Sequence, residues 1–182
     1  STIKKQSNKL DTNSMASPRS FQESSNQLQE YQRLTTGQDD TSEALEEEKE
    51  FSEAENLILQ TGLQHITLKQ ALNAASDRFR AHMPMEGRPM NWNDFVEAAY
   101  RMKGDLMIAQ SSWARACATL GRPGAAICLL LTDQAQHREH KPVQKTGAYF
   151  NAMINRAKEG ELHLHNSIFG ILKREYGDMD AA

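Results

Sequence analysis

Ala125-Ala126-Ile127-Cys128-Leu129-Leu130-Leu131, the longest apolar run in the chain, limits the fold more than any other stretch. As a helix it is apolar on every side, so it has to be surrounded by other helices instead of resting one face on a core. It is far shorter than the roughly 20 residues that cross a bilayer, so no membrane partner is expected. Pro123 fits the first turn of this helix, and Gly121 just before it can end the preceding one with positive φ. A central helix that needs partners all round predicts an all-α domain.

The partners are legible as further periodic segments. Thr67 is placed to cap a helix carrying Leu68, Ala71, Leu72, Ala75 and Phe79 on one face, ending near Pro84 with Gly87 and Pro89 in the loop that follows. Asn91 or Asn93 can cap the next, through Phe95, Val96, Ala99 and Met102 to Gly104. Ser111 or Ser112 can cap a third, in which Trp113, Ala116, Cys117 and Leu120 recur at helical spacing. After the central helix comes a basic loop, His137 to Lys145, and then a helix capped by Thr146 that runs through Tyr149, Ala152, Met153 and Ala157 to Gly160. Glu161 to His165 reads as an extended connector or brief strand. Asn166 or Ser167 opens a last helix, Ile168 to Tyr176, that Gly177 ends. Five or six short helices with tight loops predict a compact all-α domain over residues 57–177.

The N-terminal part is different material. Residues 1–60 hold 6 Lys+Arg and 12 Asp+Glu, whereas residues 61–182 hold 15 and 12, so a net −6 precedes a net +3. Only Phe21, Tyr31 and Phe51 of the aromatic residues lie in the first part. Such a segment cannot bury enough apolar surface to offset about 1 to 2 kcal/mol of backbone entropy per ordered residue, so a disordered linker is expected over 1–56 and a short disordered tail over 178–182. Within the linker, seven of the fifteen residues from Ser42 to Asn56 are Glu. That run reads as a solvated, partly helical acidic stretch; the sharper alternatives are a decoy that covers a basic domain or a docking strip for a basic partner. The chain begins at Ser1 without a charged and apolar leader, so no secretory signal is expected and the chain reads as cut from a longer one. Cys117 and Cys128 both sit in apolar helical context. No disulfide framework is expected, and a cytoplasmic protein is.

Tests for chemistry are mostly negative. There is neither a Gly-x-x-x-x-Gly-Lys-Ser/Thr loop nor a Gly-x-Gly-x-x-Gly after a strand, which argues against an ATPase or helicase. His137, His140, His163 and His165 invite a metal, but the two cysteines lie eleven residues apart in positions that look buried, and solvated loop histidines are the commoner case. Ser111, Ser112 and Ser167 sit where caps sit. No catalytic residue, metal or cofactor is expected, and the protein is read as a non-enzyme. Arg115, Arg122, Arg138, Lys141, Lys145, Arg156 and Lys158 cluster in two interhelical regions and one helix end, and are the candidates for meeting phosphates. Arg156 and Lys158, with Lys173 and Arg174, also suit helix C-termini as complements to the macrodipole. Trp92 and Trp113 read as core residues rather than base-stacking platforms.

Taken in order, several short elements resemble one family. They are Trp92-Asn-Asp94 with Ala98-Ala99, Leu106-Met-Ile108, Trp113-Ala-Arg-Ala116, Leu120-Gly121, Ala125-Ala126, Gly147-Ala-Tyr149-Phe150, Arg156-Ala157, Gly160-Glu161-Leu162 and Ser167-Ile168-Phe169-Gly170-Ile171-Leu172. Together they look like the C-terminal domain of replication initiation protein C, encoded by the repABC plasmids of alphaproteobacteria, over about residues 60–176. The weight lies in their order and spacing, since Gly-Ala-Tyr or Gly-Glu-Leu alone is common. The resemblance implies a helical module of a protein that starts plasmid replication, in which a winged-helix-like domain binds origin DNA and a variable linker precedes the C-terminal domain. Origin DNA, host replication proteins and a second copy in a homodimer are the partners it implies. The main rival reading is a purely protein-binding or dimerisation domain with no DNA contact. The turn from His137 to Lys145 departs from the family pattern, being longer and cationic where members tend to have an uncharged Asn/Ser/Gly turn.

Overall fold

The computed structural model describes residues 40–84 and 87–180. The expectation of disorder over residues 1–39 lies outside the described residues. The described residues fall into two units, divided between residues 50 and 51. Among the described residues there are seven α-helices and no strand: α1 (Asp40–Gln60), α2 (Leu68–Ala74), α3 (Asp77–Arg80), α4 (Trp92–Asp105), α5 (Gln110–Gln136), α6 (Thr146–Lys158) and α7 (Leu164–Asp180). The all-α expectation holds.

The acidic stretch is a solvated helix, more fully helical than the partly helical run expected of it. α1 contains it, and every residue from Ser42 to Asn56 is exposed, so the boundary expected at residue 56 falls inside a helix. Glutamates are good helix formers, and a fully solvated helix has no packing requirement to violate. At the other end α7 continues through Gly177 to Asp180, past the expected stop.

The central helix is as the apolar run requires. Gly124 to Asp133 is buried without interruption, and Ala125 to Leu130 is fully inaccessible. α4 contributes Phe95, Ala99 and Met102 to the shell around it, α6 contributes Phe150, Met153 and Ile154, and α7 contributes Ile168 and Ile171. Each such apolar side chain removed from water is worth about 1.5 to 3 kcal/mol. α5 is two helices in one. Gly121 sits at φ 76, ψ 167, a region only glycine occupies readily, and Pro123 restarts the helix. The chain turns so tightly there that a Cβ on Gly124 would lie 2.7 Å from that of Leu120. By length and composition Gln110–Gln136 could cross a membrane, but more than half of its apolar window is buried within this domain and Gly121 interrupts it.

Several caps differ from the sequence reading. Thr67 does cap α2, in a reciprocal box with Gln70. The helix then breaks at Ala75, and Ser76 caps α3 by accepting the Phe79 N–H at 3.0 Å, so the single helix expected through Phe79 is two. Asn91, not Asn93, caps α4, in a box with Asp94. α5 starts at Gln110 without a side-chain cap, so Ser111 and Ser112 are ordinary first-turn residues. Thr146 does not cap α6 either. Its hydroxyl donates to the Leu106 carbonyl at 2.6 Å and ties α6 to the end of α4. Ser167 lies inside α7, which opens at Leu164 where the Leu164 N–H reaches the Thr61 carbonyl at 2.9 Å. Trp113 is buried edge-on to Tyr100, and Trp92 packs edge-on to Phe95, so both are packing residues.

The α4 cap carries a pH dependence. Arg88 grips Asp94 at 2.7 and 2.8 Å while the Asn91 N–H donates to the same carboxylate at 3.0 Å. Chiefly through the Arg88 bond, and then the Asn91 N–H, the Asp94 carboxyl is held below its ordinary value of 3.8. A carboxyl that binds its proton less tightly when folded stabilises the fold fully above its unfolded pKa, and loses that contribution as pH falls through the lowered one. Asp94→Asn is therefore expected to lower the urea midpoint at neutral pH, with the gap to the unmodified protein closing on acidification below the ordinary carboxylate range. A gap that stays constant with pH would assign the loss to the amide's geometry instead of to charge.

Candidate nucleic-acid interface

The end of α5, the loop after it, α6 and α7 enclose a cleft of about 800 Å³. Its apolar part is formed by Leu131, Ala135, Met153 and Ile171. Arg138 of the loop, Arg156 of α6 and Arg174 of α7 line the same cleft, with Tyr149 among them. His137 and His140 add imidazoles, while Glu139 and Glu175 are the acidic residues present. Helical spacing explains how the two walls form. Tyr149, Met153 and Arg156 follow one another along α6 at i, i+4 and i+7, and Ser167, Ile171 and Arg174 do the same along α7.

The loop that delivers Arg138 is held by its backbone. The Val143 N–H returns to the Ala135 carbonyl at 3.0 Å, closing the loop onto the last turn of α5. Lys141 takes φ 52, an uncommon conformation for a residue with a side chain, at the crest of this reversal. Arg138 lies against Tyr149, its Nη2 donating to the phenol oxygen at 2.9 Å and its guanidinium carbon 5.5 Å from the ring centroid. Among the described residues no carboxylate forms an ion pair with Arg138, Arg156 or Arg174. Outside the cleft, Arg78, Arg80, Arg88 and Arg101 pair with carboxylates, whereas Arg115 and Arg122 form no ion pair among the described residues. Arg156 is close enough to the core to oppose the burial that pushes the Cys128 thiol up to about 12. Cys117 is half-buried and its thiol is likewise raised by burial.

The seven candidate cations are thus divided. Arg138 and Arg156 meet in the cleft. Arg115 is exposed but reaches across to the Asn151 carboxamide, a link between α5 and α6. Arg122 is exposed at the kink in α5, Lys141 and Lys145 on the loop and Lys158 at the end of α6, and none of the four lines the cleft. Sequence reasoning set Arg174 aside as a helix-end cation and left Tyr149 as a helix-face residue. The matching i, i+4, i+7 patterns on two successive helices, each ending in arginine, were the available signal. His65 and His165 lie with ring centroids 5.3 Å apart, and among the described residues there is no group of three His, Cys, Asp or Glu placed to hold a metal ion.

No curated protein and no solved structure matches the chain. The model of one protein family, described as the replication protein C C-terminal region, does match, over residues 67–174. Those residues run from the α2 cap to the arginine that closes the cleft on α7, more than half of the chain, so the chain belongs to the replication protein C family and has a role in plasmid replication initiation.

Proposed function

We propose that this domain is a non-enzymatic DNA-contacting module of a plasmid replication initiator, working in the cytoplasm with the plasmid, and that its contact surface is centred on the cleft. The observation that carries the reading is the meeting of Arg138, Arg156 and Arg174 in one cleft without a carboxylate partner among the described residues. Unpaired guanidinium groups on a shared wall suit phosphate oxygens, which take them two bonds at a time. Lys141 and Lys145 on the adjoining loop extend the positive surface. A second reading, recruitment of host replication proteins, draws on Phe169 and Tyr176, two partly exposed aromatics seven residues apart on α7.

Fluorescence anisotropy of the 182-residue chain against labelled DNA across a salt series tests the reading. Affinity is expected to fall linearly on a log–log plot against salt. Each arginine of the three changed to alanine is expected to reduce the slope by about 0.7 on a single strand or about 0.9 on a duplex. Arg115→Ala, outside the cleft, is expected to leave the slope unchanged. Absence of binding at low salt would overturn the DNA reading and leave the domain as a platform for replication proteins.

A further inference from the structure

From the chemistry of the cleft we infer that its ligand is single-stranded DNA, and that a base of the strand stacks at Tyr149 while its flanking phosphates meet Arg138, Arg156 and Arg174. This rests on the DNA reading above and narrows it. Arginines share the cleft with the partly buried ring of Tyr149, over a floor of Leu131, Ala135, Met153 and Ile171 that is itself nearly buried. A duplex offers phosphates on its outside but keeps its base faces stacked within, so it has no base face to set against the Tyr149 ring. A single strand offers both, and proteins that hold single strands combine a positive groove with aromatic stacking surfaces.

Size points the same way. A cleft of about 800 Å³ is of the order that holds one compact ligand, so it accommodates a few nucleotides and not a helical rod. The Tyr149 ring is only partly buried, and the guanidinium that lies against it is itself a stacking surface for a base. Arg138 leaves the phenol oxygen, its one hydrogen-bond partner, when it turns to a phosphate, so strand binding exchanges that bond for a charge-assisted one.

The test uses the full chain with a fluorescein-labelled dodecamer of thymidine and a duplex of equal length at the same salt. The single strand is expected to bind at least tenfold more tightly. Tyr149→Leu is expected to weaken single-strand binding about fivefold or more, the size of one lost base stack, and to leave weak duplex binding unchanged. Tyr149→Phe keeps the ring and is expected to retain the preference. As a check independent of the folding of the leucine variant, photo-crosslinking of the unmodified protein to an oligonucleotide carrying 5-iododeoxyuridine is expected to label peptides from α6 and the 137–145 loop. Duplex binding equal to or tighter than single-strand binding would overturn the inference while leaving the DNA reading in place. So would a folded Tyr149→Leu protein with unchanged affinity, or crosslinks confined to other helices. Binding to neither DNA would overturn the parent reading instead.

Discussion

Leu130→Ala is expected to lower the unfolding free energy by about 2 to 5 kcal/mol, with the upper part of that range the better expectation. Leu130 is fully inaccessible and sits at the middle of a helix buried on all sides. The loss has two parts, the transfer of the deleted carbons and the cavity left behind, and the second grows when the surroundings cannot collapse. Here collapse is hindered. The helix restarts at Pro123 from a glycine-only backbone geometry, Gly124 has no room for a Cβ against Leu120, and Thr146 pins α6 to α4. Set against a total stability of about 5 to 15 kcal/mol, a loss of this size removes a large share of the margin. Urea unfolding followed by far-ultraviolet circular dichroism should show a lower midpoint with an unchanged slope. Leu45→Ala, at an exposed position on α1, serves as the contrast and should move the midpoint little.

The same packing explains what could be read from the sequence. The run from Ala125 to Leu131 has no polar side, and once Pro123 and the helical periods on either side make it a helix it has to be surrounded, so its central position in an all-α domain followed. Gly121 and Pro123 marked its start because their backbone constraints act locally. Caps were less legible wherever tertiary partners decide. Thr146 and Ser167 have the right side chains to cap, but the Leu106 carbonyl claims one and the Thr61 carbonyl starts α7 ahead of the other. The break at Ala75 was hidden because Phe79 still falls on the expected face, while Ser76-Asp77, a capping residue followed by an acid, was the cue to it. As for the cleft, Arg138 and Arg156 stood among the sequence candidates, but nothing local says that α6 and α7 bring Tyr149 and Arg174 to the same wall. Charge alone could not separate these from Arg115 and Arg122, since all carry the same group and differ only in what the fold sets opposite them.

Arg78→Ala is expected to cost about 2 to 3 kcal/mol although the arginine itself is partly exposed, because of what it leaves behind. Asp133 lies in the apolar stretch of α5 with its side chain wholly buried. Its carboxylate accepts from Arg78 Nη2 at 2.6 Å and from the Ser76 hydroxyl, and His137 Nε2 stands 3.7 Å away. Taking away the guanidinium strands an anion in the core with one neutral donor, a more costly state than either group alone in water. The exposure of Arg78, 43 %, keeps the expected loss below the 3 to 5 kcal/mol or so of a fully buried pair, since some water reaches the bond. The second change distinguishes this account from simple loss of packing. In the Arg78→Ala background, Asp133→Leu removes the stranded charge and fills the site, and is expected to recover much of the lost stability. Ser76 loses its carboxylate partner in that protein but keeps its capping bond to the Phe79 N–H. Strongly non-additive losses in a double-mutant cycle would establish that the carboxylate, and not the contacts of Arg78, sets the cost. Additive losses would mean that Asp133 is tolerated without its partner. The network also bears on the cleft, because His137 precedes Arg138 and is the first residue of the loop that carries it. A carboxylate buried in the central helix thus anchors α3 through Arg78 and Ser76, with the imidazole at the start of the arginine-bearing loop 3.7 Å from it.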